Sequence, residues 1–125
     1  MFLLFDLSKN DSICLSLFDK KYIEHKTYSV RNRELLSCIQ DFLQEQDVVK
    51  EAVTGIMVVV GSGSFTNTRI AVTVANTWGY ALQIPLLAVQ EADISQVQQM
   101  IPLLVQQPIG QYISATYSGR PNIGG

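Results

Sequence analysis

The sequence predicts an α/β domain with a five-stranded mixed sheet in the order β-β-β-α-β-α-β. Three observations predict this fold class. In the first quarter of the chain, apolar runs are separated by short polar turns, which is typical of antiparallel strands. The next stretch places apolar residues at helical spacing. An uninterrupted apolar run at residues 55–60 then meets a glycine turn and a long apolar helix, which indicates a parallel strand-helix-strand unit.

The first three strands are predicted at Phe2–Phe5, Ser12–Phe18 and Tyr22–Val30. The polar turn at residues 8–11 joins the first two into a hairpin. Asn32 is a candidate N-cap for the first helix. We expect that helix to bury one apolar face, made of Leu35, Leu36, Ile39, Phe42 and Leu43.

The second half predicts a right-handed crossover, with strands at residues 55–60 and 86–89 and a helix from about Phe65 to Leu82 between them. Asp93 or Ser95 is expected to cap a last helix that Pro102 kinks or shortens. Its predicted inward residues are Ile94, Val97, Ile101, Leu104 and Val105. We expect one domain over residues 1–107 and an irregular, partly mobile tail over residues 108–125.

The composition is that of a globular protein with a thinly charged surface, since 47% of its 125 residues are hydrophobic and 16% are charged. The net charge is -2 and the nine basic residues are scattered, which argues against direct nucleic-acid binding. Two distant cysteines, Cys14 and Cys38, and the single His25 are too few for a zinc site, so we expect buried thiols and a surface histidine. The chain has neither a signal-like leader nor a membrane-spanning run, so we expect a cytoplasmic protein.

The turn after the fourth strand carries a specific motif. Residues 61–66 read Gly-Ser-Gly-Ser-Phe-Thr, with Arg69 following, and Asp6-Leu7-Ser8 ends the first strand. With the predicted strand order, this resembles the TsaB (YeaZ) family of the actin-like ATPase superfamily, whose domains have a ribonuclease-H-like core. The similarity covers roughly residues 1 to 90, and its matching positions are Gly61, Gly63, Ser64, Phe65, Thr66, Arg69, Ile70, Ala75, Ala81, Leu82, Ile84, Pro85 and Leu86. Asn67 and Ala71 stand where the family has glycines.

The resemblance implies a noncatalytic subunit of the machinery that makes threonylcarbamoyladenosine on tRNA. In this family the subunit pairs through its helices with the catalytic TsaD subunit, supports the TsaE ATPase and can form homodimers. We therefore expect a TsaD-like partner, a TsaE-like ATPase or a second copy, with tRNA reached only through the complex and no cofactor or membrane. The family continues into a second actin-like domain, whereas residues 117–123 resemble its terminal tail, so we expect a short form.

Two loops have both a chemical and a structural interpretation. The turn with Gly61 and Gly63 precedes a helix, where backbone N–H groups could cradle a phosphate, but it lacks the lysine of a P-loop and the third glycine of a dinucleotide fingerprint. A tight turn that needs glycine dihedrals is favoured. Asp6 and Ser8 stand where actin-like ATPases hold metal and phosphate, and we expect a vestigial nucleotide-type loop whose side chains satisfy turn N–H groups.

The helix after Arg69 is the candidate partner interface. On a helical wheel Ile70, Val74, Ala81 and Trp78 suit the sheet side, which leaves a second face of small residues and one tyrosine. A helix wholly buried in the domain is the alternative, and the pairing implied by the resemblance favours an interface. The predicted contact residues are Arg69, Val72, Asn76 and Tyr80.

A metal-dependent nuclease or resolvase of the ribonuclease-H type is the alternative function. It would use Asp6 and a helix acid such as Glu34 to hold two metal ions. It also needs an acid after the fourth strand, where this chain has Gly61-Ser62. Because a serine hydroxyl lacks the anionic oxygen that hard cations require, the nuclease is disfavoured and no metal ligand is predicted.

Overall fold

The computed structural model describes residues 1–114, which form one five-stranded sheet flanked by helices on both faces. The strands lie in the order β3-β2-β1-β4-β5. β1 pairs antiparallel with β2 and parallel with β4, while β2–β3 is antiparallel and β4–β5 parallel. The predicted strand and helix order is confirmed. The elements are β1 Phe2–Asp6, β2 Ile13–Phe18, β3 Ile23–Tyr28, α1 Leu35–Glu45, β4 Gly55–Val59, α2 Phe65–Leu82, β5 Leu86–Val89 and α3 Ile101–Val105, with 3-10 helices at Asn32–Glu34, Lys50–Ala52 and Glu91–Met100.

Alternation along the strands divides the interior into two cores. In β1, Leu3 and Phe5 face one side of the sheet and Leu4 faces the other, because successive side chains of a strand point to opposite faces. The helices α1 and α2 cover the first face. The 3-10 helix Glu91–Met100 and α3 cover the second. Buried on both faces, β4 has the continuous apolar sequence of a central parallel strand.

The start of α1 differs from the prediction. Asn32 is not its N-cap, because residues 32–34 form a 3-10 turn that begins after Arg31. Asn32 is buried at 7% exposure, and its side chain reaches back to the loop between β1 and β2. Leu36 was expected inside, but it is 46% exposed. The buried stripe of α1 is Leu35, Cys38, Ile39, Phe42 and Leu43.

The last helical segment also differs in detail. Asp93 accepts a hydrogen bond from Gln90 N at 2.8 Å in a capping box, so Gln90 is the N-cap and neither Asp93 nor Ser95 is. Pro102 was predicted to kink or shorten this helix, and the structure has two segments here, the 3-10 helix Glu91–Met100 and α3. Pro102 lies in the first turn of α3, where a backbone N–H has no partner in the helix, so its missing N–H costs nothing. Val105 is 54% exposed rather than inward, because α3 ends there.

Residues 108–114 form neither helix nor strand. Even so, Ile113 is half-buried against the first core, so packing continues past residue 107, the predicted end of the domain. Residues 115–125, with the rest of the predicted tail and its family-like stretch, lie outside the described residues. Within residues 1–114 no helix is long and apolar enough to cross a bilayer.

Candidate functional site

Two loops meet at one edge of the sheet, because β1 and β4 are parallel neighbours and their carboxyl ends coincide. Gly63 in the β4–α2 loop has φ +77°, and a Cβ there would lie 2.4 Å from the carbonyl oxygen of Ser8. Gly61 also has a positive φ, of 83°. The glycines therefore serve a tight turn and a close approach of two backbones, which is the structural interpretation of this motif.

The carboxylate of Asp6 is used within its own turn. Its Oδ1 accepts hydrogen bonds from Ser8 N at 3.0 Å and from Ser8 Oγ at 2.6 Å. This is an Asx turn, in which a side chain satisfies the backbone two residues on. Beside it lies a small polar cavity of about 170 Å³, lined by Asp6, Ser8, Lys9, Ser12, Cys14 and Thr27.

Two asparagines that the sequence did not single out for this site hold the loops together. Asn32 Oδ1 accepts from Asp11 N at 2.9 Å, and its Nδ2 donates to the carbonyls of Lys9 and Ser12 at 3.1 and 2.9 Å. The second is Asn67, 6% exposed, whose Nδ2 donates to Asn10 Oδ1 across the two loops at 2.9 Å. An asparagine at a family glycine position was the one signal that could have found this contact.

The first turn of α2 is capped within the motif itself. Ser64 is the N-cap, and its hydroxyl accepts from Asn67 N at 3.0 Å. Arg69 is exposed, and its guanidinium carbon lies 5.9 Å from the centre of the Phe65 ring. Phe65 and Arg69 of the motif thus form a cation-π contact on the outer surface of α2.

The predicted contact face of α2 requires correction at two residues. Val72 is 3% exposed and lies in the first core, so it is not a surface residue of this domain. Asn76 is half-buried, and both ends of its amide bond the backbone of Ile113 in the same chain. By contrast, Tyr80 is 65% exposed and Arg69 is also at the surface.

The burial of Val72 has a physical reason, which is that α2 approaches the sheet through its smallest residues. Ala71, Ala75 and Gly79 share the buried stripe with Val72, and a Cβ at Gly79 would lie 3.0 Å from Leu86 on β5. The residues assigned to the sheet from the sequence lie outside this stripe, although Ile70, Val74 and Trp78 still pack against the first core. Ile70, Val74 and Trp78 are only partly buried, and Ala81 is exposed.

An apolar groove runs between α1 and α2 on the outside of the domain. It encloses a cavity of about 450 Å³. Of its lining residues, Leu36 is 46% and Val49 66% exposed. Trp78 and Leu82 form the α2 wall. This groove was not predicted, because Leu36 had been placed in the core.

The remaining chemistry-bearing residues are dispersed. Within residues 1–114 no group of three or more His, Cys, Asp or Glu side chains is placed to share a metal ion. His25 is exposed on β3, with Nδ1 2.8 Å from Ser16 Oγ. Cys38 is buried and Cys14 partly so, and burial raises the pKa of the Cys38 thiol, which keeps it protonated and unreactive.

The strand order and the two facing loops define an α/β domain of the actin-like, ribonuclease-H-like class. Comparison with known proteins identifies the family. Residues 29–118 match the family model described as TsaD: tRNA N6-adenosine threonylcarbamoyltransferase. The chain belongs to this family, and within it is a TsaB/YeaZ-like protein, which confirms the resemblance seen in the sequence.

The similar proteins are named TsaB or YeaZ, or are described as similar to YeaZ. The tRNA threonylcarbamoyladenosine biosynthesis protein TsaB of Bacillus subtilis (strain 168) is 31% identical over 83 residues, which are 65% of this chain and 36% of that protein. The structure of YeaZ from Pseudomonas aeruginosa superposes with a TM-score of 0.64 at 31% identity, over 71% of this chain and 44% of that one. A further Pseudomonas aeruginosa structure, described as similar to peptidase YeaZ, gives 0.66 at 29% identity, over 81% and 47%. The chain thus spans less than half the length of each.

Proposed function

We propose that this protein is a noncatalytic subunit of the machinery that makes threonylcarbamoyladenosine on tRNA, and that it pairs with a TsaD-like catalytic subunit through α1 and α2. Family membership and the named TsaB relative support the pathway. The observation that carries the pairing is the uncovered apolar surface shared by the two helices.

That surface is unusual for a domain in water. From Ile70 to Leu82, α2 carries no charged residue, although its outer side includes exposed Thr73, Thr77 and Tyr80. The apolar groove with Leu36 at its edge continues this surface onto α1. Exposed apolar patches with aromatic residues mark protein contacts, and tyrosine is enriched among the residues that contribute most binding energy.

The geometry of the two loops supports assembly rather than chemistry. Asp6 is engaged by Ser8 and Asn67 by Asn10, and Gly63 lies against the Ser8 carbonyl, so the polar groups of the two loops bond to each other within the chain. In the proposed complex, tRNA is reached only through the partner, a TsaE-like ATPase is a further partner, and a second copy uses the same helices when the TsaD-like subunit is absent. Such a complex would act in the cytoplasm. No observation favours the nuclease alternative, which needs further acids around Asp6.

Matched substitutions test the pairing. Leu36 on α1 and Leu103 on α3 are both 46% exposed, but they lie on opposite sides of the sheet. The protein is co-expressed with the TsaD-like protein of its own organism, and the pair is purified through a tag on the partner. Leu36→Asp and Tyr80→Asp should each weaken the complex about 30-fold or more, since truncated hot spots cost about 2 kcal/mol or more. Leu103→Asp is the control and should bind like the wild type.

Each variant is also melted alone, because exposed substitutions should leave the folded domain intact. Equal capture of Leu36→Asp, Tyr80→Asp and Leu103→Asp would refute pairing through α1 and α2. Loss of binding by all three would place the contact elsewhere or make it unspecific, and would refute the proposal as well.

A further inference from the structure

A cavity of about 410 Å³ opens on the outer side of α2 and is referred to as the outer cavity. One of its lining residues, Tyr112, belongs to residues 108–114, the strap, which follows α3 and has no helix or strand of its own. The others all belong to α2: Thr73, Asn76, Thr77, Tyr80 and Ala81. The outer cavity therefore joins the helix to a distant segment of the chain.

Tyr112 is placed beside α2 by its neighbour Ile113. Asn76 Nδ2 donates to the carbonyl oxygen of Ile113 at 2.9 Å, and Asn76 Oδ1 accepts from Ile113 N at 2.9 Å. A primary amide supplies a donor and an acceptor side by side, so one side chain bonds both backbone groups. Ile113 also packs against the first core, and Ser114 makes an interaction of its own. Asn76 is thus the attachment of the strap that lies within the outer cavity.

Two exposed tyrosines line the outer cavity. Tyr80 on α2 is 65% exposed and Tyr112 on the strap is 62% exposed. A tyrosine ring has few rotatable bonds, so a contact buries a large area of it at a low cost in conformational entropy. Tyrosine is accordingly enriched among the residues that contribute most binding energy. The two rings indicate a place where another molecule is bound.

The lining of the outer cavity favours an apolar occupant. Each of its six residues is uncharged. A charged group entering it would lose hydration without meeting an opposite charge, whereas an apolar group would bury area against the two rings. Ala81 lines both the outer cavity and the apolar groove between α1 and α2, so the two surfaces are continuous. A protein seated on α1 and α2 would reach the outer cavity as well.

We propose that Tyr112 is a contact residue for the TsaD-like partner, and that an apolar side chain of this partner fills the outer cavity between Tyr80 and Tyr112. Asn76 then acts as a positioning residue that holds Tyr112 in place. The inference rests on the proposed function and extends it, because pairing through α1 and α2 alone makes no use of the strap.

Substitutions on the strap test the contact with the co-expressed, tagged partner. Tyr112→Ala should weaken the complex about tenfold, as expected for the truncation of a hot-spot side chain. Ile109→Ala is the matched control, because Ile109 lies on the same strap and is 54% exposed but does not line the outer cavity. It should bind like the wild type, and each variant is melted alone to verify that it is folded.

The outcomes separate this inference from the proposed function. If Leu36→Asp and Tyr80→Asp weaken the complex while Tyr112→Ala binds like Ile109→Ala, pairing through the helices stands and the strap contact is overturned. If Leu36→Asp and Tyr80→Asp bind like the wild type, the proposed pairing is refuted and the inference falls with it.

Two substitutions of similar volume at Thr77 test the chemistry of the occupant. Thr77 is exposed, and its hydroxyl donates to Thr73 O of its own helix. Thr77→Val replaces the hydroxyl with a methyl group and should bind as tightly as the wild type or more tightly, since it adds apolar area. Thr77→Asp places a charge in the outer cavity and should weaken the complex about tenfold. A weaker complex with Thr77→Val, or an unchanged one with Thr77→Asp, would overturn the apolar occupant.

A double-mutant cycle tests the positioning role of Asn76. Asn76→Ala removes both bonds to Ile113 and should weaken the complex about threefold or more when Tyr112 is present. In the Tyr112→Ala background the same change should have no effect, because the residue that it positions is gone. A merely structural role would weaken binding by the same factor in both backgrounds, and that result would overturn positioning by Asn76.

Discussion

Replacing Asn32 with alanine should destabilise the protein more than the loss of most polar side chains. Asn32 is 7% exposed and its amide makes three hydrogen bonds to the β1–β2 loop, one from Asp11 N and two to the carbonyls of Lys9 and Ser12. Asp11 has φ 54°, an uncommon conformation for a residue other than glycine, so the loop depends on such support.

The magnitude follows from the number of bonds. Each intramolecular hydrogen bond contributes about 0.5–1.5 kcal/mol net, so losing three lowers the free energy of unfolding by about 2–4 kcal/mol. For a domain of this size that corresponds to a fall in Tm of about 10 °C. Asn67→Ala is the matched comparison, because it removes the single side-chain bond to Asn10 and should cost about 1 kcal/mol.

Urea unfolding followed by circular dichroism measures both changes, and equal m-values ensure that the midpoints can be compared. Asn32→Asp separates hydrogen bonding from packing, since it keeps the volume and the acceptor for Asp11 N. Its second oxygen would face the carbonyls of Lys9 and Ser12, so its cost should equal or exceed that of Asn32→Ala. A cost below about 1 kcal/mol for Asn32→Ala, or a neutral Asn32→Asp, would refute the stabilisation of the β1–β2 loop by the three hydrogen bonds of Asn32.

Gly63→Ala should cost about 2–5 kcal/mol, because it adds a left-handed residue and a Cβ 2.4 Å from Ser8 O, whereas Gly110→Ala, with φ +91° and open space, should cost about 1–2 kcal/mol. Equal thermal shifts for the two variants would contradict the close approach of the loops. The pKa of Tyr28 is raised from 10.0 to about 12, mainly by burial and then by the Glu45 carboxylate. Since ionisation is harder in the folded state, this contribution is intact below pH 10 and is lost as pH rises toward 12. Its hydroxyl has no hydrogen-bond partner within residues 1–114. Tyr28→Phe should therefore match the wild type at pH 7 and lose less stability in alkaline urea titrations, and identical pH profiles would contradict this.

Strand identity could be predicted from the sequence because local patterns decide it. The apolar runs of β1, β2 and β4 are separated by turn residues, and the motif at Gly61 to Thr66 marks the crossover. The contacts of the asparagines could not be predicted this way. Asn32 bonds a carbonyl 23 residues away, and Asn67 bonds a side chain 57 residues away, so their roles exist only in the folded chain.

The face that α2 turns to the sheet could not be predicted from the sequence, for another reason. Its residues are apolar nearly all the way round, so the wheel offers two similar faces and no charge to choose between them. Local preference favoured burying the larger side chains. The sheet instead accepts the small ones, because Gly79 must approach Leu86 closely. Burial of Val72 and exposure of Ala81 both follow from that single contact.

This choice of face bears on the proposed pairing. A helix that buries Ala71, Ala75 and Gly79 leaves Trp78 partly and Tyr80 largely exposed, although burial of a large apolar side chain contributes about 1.5–3 kcal/mol. A protein that covered the outer side of α2 would bury these larger side chains further while the close contact with the sheet is kept. The packing inside the domain thus supports a partner on the outside, independently of family resemblance.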